Sequence, residues 1–147
     1  MKLVVVGLGV QGNKRSFISK KDLVCTVDPF NSKANYKHLK DVPLNIYDSV
    51  ILCTPDDLKL DHINFCIDNK KHIMVEKPLI FKDLKNFKIV EKNVNKKNIV
   101  LYVAYNHRFE PHFIRMKKYL LLKKIGKIYS CRIFYGNGTA KIFRESP

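Results

Sequence analysis

The sequence predicts an α/β fold: a doubly wound parallel sheet with helices on both faces. Three observations lead there. Short apolar runs recur along the 147 residues, each followed by a stretch with helical periodicity. A strand that is apolar at every position is one buried on both faces, as strands of parallel sheets are. Pro29, Pro55 and Pro78 each fall just behind such a run, at the carboxyl edge of the sheet, where open α/β folds bind ligands.

The elements follow in order. Leu3–Val6 reads as a buried strand, and residues 10–20 as the helix after it. Leu23–Val27 is the second strand. Residues 29–48 are polar and weakly periodic, with a short helix expected near residues 33–39. That stretch is shorter than a full strand–helix unit and should leave one side of a ligand pocket open. Residues 50–54 form a third strand. Asp56 suits the N-cap of a helix carrying Leu58, Ile63, Cys66 and Ile67. His72–Val75 is a fourth strand, and Leu84, Phe87, Val90 and Val94 mark the next helix face. Residues 99–104 make a fifth strand, residues 111–124 a helix closed by Gly126, and residues 127–135 a last strand.

The first loop carries the most specific local signal. Gly7-Leu8-Gly9-Val10-Gln11-Gly12 is a G-x-G-x-x-G string that follows a strand and opens a helix, the context of a Rossmann-type dinucleotide site. Gly7 permits the tight turn, Gly9 lets a pyrophosphate approach the backbone, and Gly12 lets the helix pack closely on the strand. The N–H groups of the first turn, from Val10 and Gln11 onward, face the phosphates. Asp28 ends the second strand, where a carboxylate accepts both adenosine ribose hydroxyls and repels the 2′-phosphate of NADP. NAD is therefore favoured over NADP as cofactor, although Arg15 or a nearby lysine could blur the preference. An ordinary turn residue before Pro29 is the alternative reading of Asp28.

Composition narrows the class. With 46% hydrophobic and 28% charged residues the chain is globular. No apolar run approaches the roughly 20 residues of a membrane span, and the first is too short for a signal peptide. The four cysteines, Cys25, Cys53, Cys66 and Cys131, form no CxxC pair, so neither zinc nor a disulfide framework is expected. These features suit a soluble protein of the reducing cytoplasm. The net charge of +15 suggests nucleic acid, but only five of the basic residues are arginine (Arg15, Arg108, Arg115, Arg132 and Arg144). The lysines are spread along the chain rather than forming a stripe, and no nucleic-acid partner is expected.

Val75-Glu76-Lys77-Pro78-Leu79 follows the fourth strand, and Pro78 keeps Lys77 out of the helical region. A lysine held there could donate a hydrogen bond to a reacting oxygen; a solvated surface lysine is the alternative. With the glycine string, Cys53-Thr54-Pro55, His62, residues 71–79 and Tyr105-Asn106-His107-Arg108-Phe109-Glu110-Pro111, the chain resembles the glucose-fructose oxidoreductase and inositol dehydrogenase (Gfo/Idh/MocA) family. The matches run in the family's order from Met1 to about Gly126. The resemblance implies NAD(P)-linked oxidation or reduction at a hydroxyl or carbonyl of a sugar, cyclitol or nucleotide-linked sugar. It implies Lys77 as the catalytic lysine, Glu76 near the nicotinamide end, and Thr54 and Pro55 along the cofactor channel. His62 and Asn106 carry over as cofactor-side residues, with packing the alternative for each. Arg108 either braces its loop or touches ligand.

Family members carry a second, antiparallel domain that binds substrate and supplies an aspartate and a histidine. The resemblance therefore implies a cofactor domain over residues 1–126 and, over residues 127–147, only the first strand of a truncated or missing C-terminal α+β domain. A lysine is by itself a poor general base near neutral pH, so such a fragment should turn over slowly. The competing expectation is a non-catalytic, redox-sensing NAD(H)-binding module. The edge of the last strand would then offer a route to a homo-oligomer.

Overall fold

A computed structural model describes residues 1–134 and 136. Its backbone contacts divide the chain after Tyr105 into two units. The first holds five parallel strands: β1 (Leu3–Val6), β2 (Leu23–Val27), β3 (Ser49–Leu52), β4 (His72–Val75) and β5 (Leu101–Val103), in the order β2-β1-β3-β4-β5. Helices α1 (Val10–Ser19), α2 (Asp56–Asp68) and α3 (Leu84–Lys97) connect them. The expected parallel α/β sheet is present.

Why these runs become central strands is visible in their burial. Val4 and Val6 of β1 join one apolar cluster with Val50 and Leu52 of β3, while Leu3 and Val5 join another with Ile51. Alternate residues thus serve opposite faces, and both faces must be apolar. Ile63, Cys66 and Ile67 of α2 and Val90 of α3 complete the larger cluster. The chain runs from β1 to β2 on one side and then crosses to β3 on the other, so the order reverses between β1 and β3. Ligand crevices of open α/β sheets form at such a reversal.

Several expectations need correction. No α-helix forms over residues 33–39; a single 3-10 turn, Leu39–Asp41, starts only at the end of that range. Asn31 and Asn35 spend their side-chain oxygens on the backbone N–H groups of Lys33 and Thr26, an alternative to helical bonding. Tyr36 instead bridges Val27 in parallel, and Leu39 and Val42 are buried in the core, so this stretch closes the edge beside β2 rather than leaving it open. Asp56 is not an N-cap: Pro55 holds that position, and Asp56 opens α2. Asp83 does cap α3, accepting the Asn86 N–H at 2.7 Å, but Leu84 and Phe87, expected on the apolar face, are exposed.

In the second unit α4 (Pro111–Leu121) starts at its proline as expected and ends one turn early. Gly126 takes φ +67°, the left-handed region that glycine favours. The last strand is not formed over residues 127–134, and Tyr135 lies outside the described residues. A strand is held by its ladder partner, and the described residues of this unit hold no other strand. Among the described residues, no strand edge for self-pairing is formed there.

Candidate functional site

β1 ends at Val6, and the chain must turn at once to launch α1 back along the sheet. Gly7 makes that turn at φ +88°, and a Cβ there would lie 2.7 Å from the Cys53 carbonyl oxygen. Gly12 passes beneath the same turn, so close that a Cβ would sit 1.7 Å from the Gly7 carbonyl oxygen. The protein's own backbone therefore demands both glycines. Gly9 is different. A Cβ on it would meet nothing within 4 Å, so its own packing does not explain the missing side chain.

Gly9 is the N-cap of α1, with no side-chain cap, and no acidic residue occupies the first turn. The N–H groups of Val10 and Gln11, both exposed, bond to none of the described residues. A helix start of this kind is suited to an anion. Gly7 and Gly9 open onto a cleft of about 750 Å³ at the carboxyl edge of the sheet, lined also by Asp28, Thr54, Pro55 and His62. Six of the residues singled out in the sequence thus converge on one crevice. It lies where the strand order reverses.

Asp28 is fixed within it. One carboxylate oxygen accepts the Leu8 N–H at 2.7 Å, and the other accepts those of Asn31 at 2.8 Å and Phe30 at 2.9 Å. Burial pushes its pKa up, but these three bonds and the nearby Lys37 charge outweigh burial and hold it below the ordinary carboxylate value. Asp28 is thus an anion at neutral pH, with lone pairs to spare for further donors. The Thr54 hydroxyl is buried and makes no hydrogen bond among the described residues. His62 sits 2.7 Å through Nδ1 from the Leu58 carbonyl. A carbonyl can only accept, so Nδ1 carries the proton and Nε2 is left for another partner.

Glu76 and Lys77 follow β4 but do not line this cleft. Glu76 is buried, and its Oε1 accepts from Arg15 Nε at 2.7 Å, with Nη2 at 2.5 Å. Arg15 is therefore committed to Glu76. Lys77 is exposed, precedes a cis peptide bond to Pro78, and makes no hydrogen bond or ion pair among the described residues. Asn106 opens a short 3-10 turn in the second unit and is exposed; Arg108 in that turn lies over the Phe109 ring at 5.7 Å.

Sequence reading missed Phe30, Lys37 and His38 on the cleft wall, because the loop that brings them there was read as open. It also missed Lys59. Nothing in the pattern distinguishes this lysine from its exposed neighbours, yet it is 3% exposed, with Nζ donating to Asp56 Oδ1 and to the Pro78 carbonyl, each at 2.6 Å.

A glycine turn, a free helix start and an anchored carboxylate at the end of β2 define a Rossmann-type dinucleotide-binding domain. Residues 1–105 match the family described as "Oxidoreductase family, NAD-binding Rossmann fold", GFO_IDH_MocA, and the chain belongs to that family. Among its relatives is the scyllo-inositol 2-dehydrogenase (NAD(+)) of Bacillus subtilis (strain 168), 28% identical, with 86% of this chain and 42% of the relative covered. Another is the scyllo-inositol 2-dehydrogenase (NADP(+)) IolW of the same organism, 27% identical over 58% of this chain and 25% of the relative. In fold it is similar to the WlbA dehydrogenase from Chromobacterium violaceum, solved in complex with NADH and UDP-GlcNAcA. The TM-score is 0.74 at 23% identity, covering 88% of this chain and 42% of that one. The chain spans less than half the length of each of these proteins. No helix among the described residues is long and apolar enough to cross a membrane.

Proposed function

We propose that this chain is the NAD(H)-binding part of an oxidoreductase acting on a hydroxyl or carbonyl of a sugar, cyclitol or nucleotide-linked sugar. The observation that carries the reading is the open space at Gly9: a residue without a side chain, at an uncapped helix start, facing a large cleft. The residues present suit a dinucleotide. Gly9 leaves the room a diphosphate needs, and the buried Thr54 hydroxyl has no hydrogen-bond partner among the described residues.

In this reading the N–H groups from Gly9 to Gly12, Val10 and Gln11 included, hold the diphosphate, and Asp28 receives the adenosine ribose hydroxyls. Thr54 and Pro55 flank the channel, and His62 offers Nε2. Glu76, neutralised by Arg15, lies toward the nicotinamide end. Lys77 is the catalytic lysine, its ammonium free to donate to the reacting oxygen. Bound there, the nicotinamide supplies hydride transfer. Lysine needs a partner for efficient proton transfer at neutral pH, so the substrate pocket and that partner belong to a further domain, of the kind the longer relatives have room for.

NAD is the favoured cofactor because the Asp28 charge repels a 2′-phosphate and Arg15 is occupied elsewhere. One relative carries NAD(+) in its name and another NADP(+), so the family alone leaves the choice to residues such as these. Lys37, on the cleft wall near Asp28, tempers the preference. Fluorescence titration with NADH and NADPH tests it. NADH should bind about tenfold or more tighter, equivalent to roughly 1.4 kcal/mol or more. Tighter binding of NADPH would overturn the cofactor choice, and binding of neither would overturn the function.

A further inference from the structure

Lys59 is the most deeply buried charged side chain among the described residues, at 3% exposure. Ammonium groups are strongly hydrated, and one is held inside a protein only where its donors are met. Here two elements meet them. The Asp56 carboxylate comes from the first turn of α2, and the Pro78 carbonyl from the loop after β4.

That loop has little else to hold it. After Glu76, whose N–H bonds to the Leu52 carbonyl at 2.9 Å, the chain runs without regular structure to Asp83. Among the described residues, the bond from Lys59 to Pro78 is the one hydrogen bond made by residues 77–82. Leu79 and Phe81 rest against the core as apolar anchors, and the Phe81 ring meets the Phe87 ring edge to face at 5.4 Å. Among the described residues, the loop's one hydrogen bond therefore sits one residue past Lys77. It is tied to the helix that follows Thr54 and Pro55 on the cleft wall.

We propose that Lys59 is a positioning residue: it latches the Lys77 loop to the start of α2 and so sets Lys77 at a fixed place relative to the cleft. The proposal rests on the dinucleotide reading and on Lys77 lying toward the nicotinamide end. Because the latch acts through the loop, its loss should spare the grip on the adenosine and diphosphate half.

The test uses the full chain and three forms: wild type, Lys59→Met and Lys59→Arg. NADH and ADP-ribose are the probes, since ADP-ribose lacks the nicotinamide. Wild type should bind NADH more tightly than ADP-ribose. Lys59→Met should weaken NADH about tenfold while ADP-ribose stays within about twofold, and Lys59→Arg, which keeps a cationic donor, should restore part of the difference. Chymotryptic cleavage after Phe81 in the free chain, followed by mass spectrometry, gives a readout that needs no nucleotide. It should speed up at least about tenfold in Lys59→Met with cleavage after Phe17 in α1 unchanged. Equal losses for NADH and ADP-ribose, or unaltered cleavage after Phe81, would overturn the proposal. If wild type binds neither probe, the dinucleotide reading fails and the positioning role with it; faster cleavage would then mark Lys59 as a structural latch alone.

Discussion

The Asp28 carboxylate accepts the Leu8 N–H at 2.7 Å, so the acidic end of β2 holds the glycine turn that follows β1. The residue that would read the ribose also fixes the loop that would hold the diphosphate.

That double role predicts a coupled loss. Asp28→Ala removes the acceptor for three backbone N–H groups and should cost roughly 1–3 kcal/mol of stability, together with weaker NADH binding. The sign of the pH dependence follows from the depressed folded-state pKa. The carboxylate's contribution is complete above its unfolded value, near 3.9, and is lost as pH falls through the lower folded value. Denaturant midpoints for wild type and variant should therefore lie apart at pH 6 and converge in acid. A gap that widens on acidification would contradict the assignment.

The three glycines should separate by experiment. Gly12→Ala places a methyl 1.7 Å from the Gly7 carbonyl oxygen, and Gly7→Ala adds strain at φ +88° to a 2.7 Å approach to Cys53. Each should lower stability by roughly 1–3 kcal/mol or more. Gly9→Ala meets open space and should cost about 1 kcal/mol at most, the loss of a favoured N-cap residue. Chemical denaturation of the three variants checks the ranking, and an equal cost at all three would sink it.

Breaking the Arg15–Glu76 pair strands a carboxylate whose side chain is 10% exposed. Arg15 keeps some solvent contact, so Arg15→Met should cost about 1–3 kcal/mol, less than a fully buried pair would. Adding Glu76→Gln should recover much of the loss, since the stranded charge is then gone. Thermal unfolding of both single variants and the double variant measures the coupling. Strict additivity would mean the pair contributes nothing.

Burial pushes the thiols of Cys53 and Cys66 up to about 12, the nearby Glu76 charge assisting at Cys53, and raises Cys25 as well. Cys131 is exposed. Iodoacetamide at pH 8 should label Cys131 in the native chain and reach the other three only after denaturation, because the thiolate is the reactive form. Rapid native labelling of Cys53, identified by peptide mapping, would contradict this account of its surroundings.

The sheet was legible because burial on both faces writes itself as unbroken apolar runs such as Leu3–Val6 and residues 50–52. The glycine turn was legible because a close approach leaves no other residue type at Gly7 and Gly12. Residues 29–48 were misread because their order comes from side-chain bonds of Asn31 and Asn35 and a single bridge at Tyr36, none of which has a period. Lys59 was invisible for a similar reason. Its burial depends on the distant Pro78 carbonyl, and 23 lysines and five arginines give such a residue no prominence. The strand expected over residues 127–135 had the right composition, but the described residues of its unit hold no other strand to pair with it.

NADH titration of wild type beside Gly9→Val tests the central claim most directly, with denaturant midpoints measured on the same samples. A Cβ here meets no other part of the protein within 4 Å, so the fold should lose no more than about 1 kcal/mol. Affinity for NADH should nevertheless fall at least about 100-fold, as the isopropyl group occupies the diphosphate's place. If Gly9→Val binds NADH as tightly as wild type, the diphosphate is not held at the start of α1 and the account is wrong.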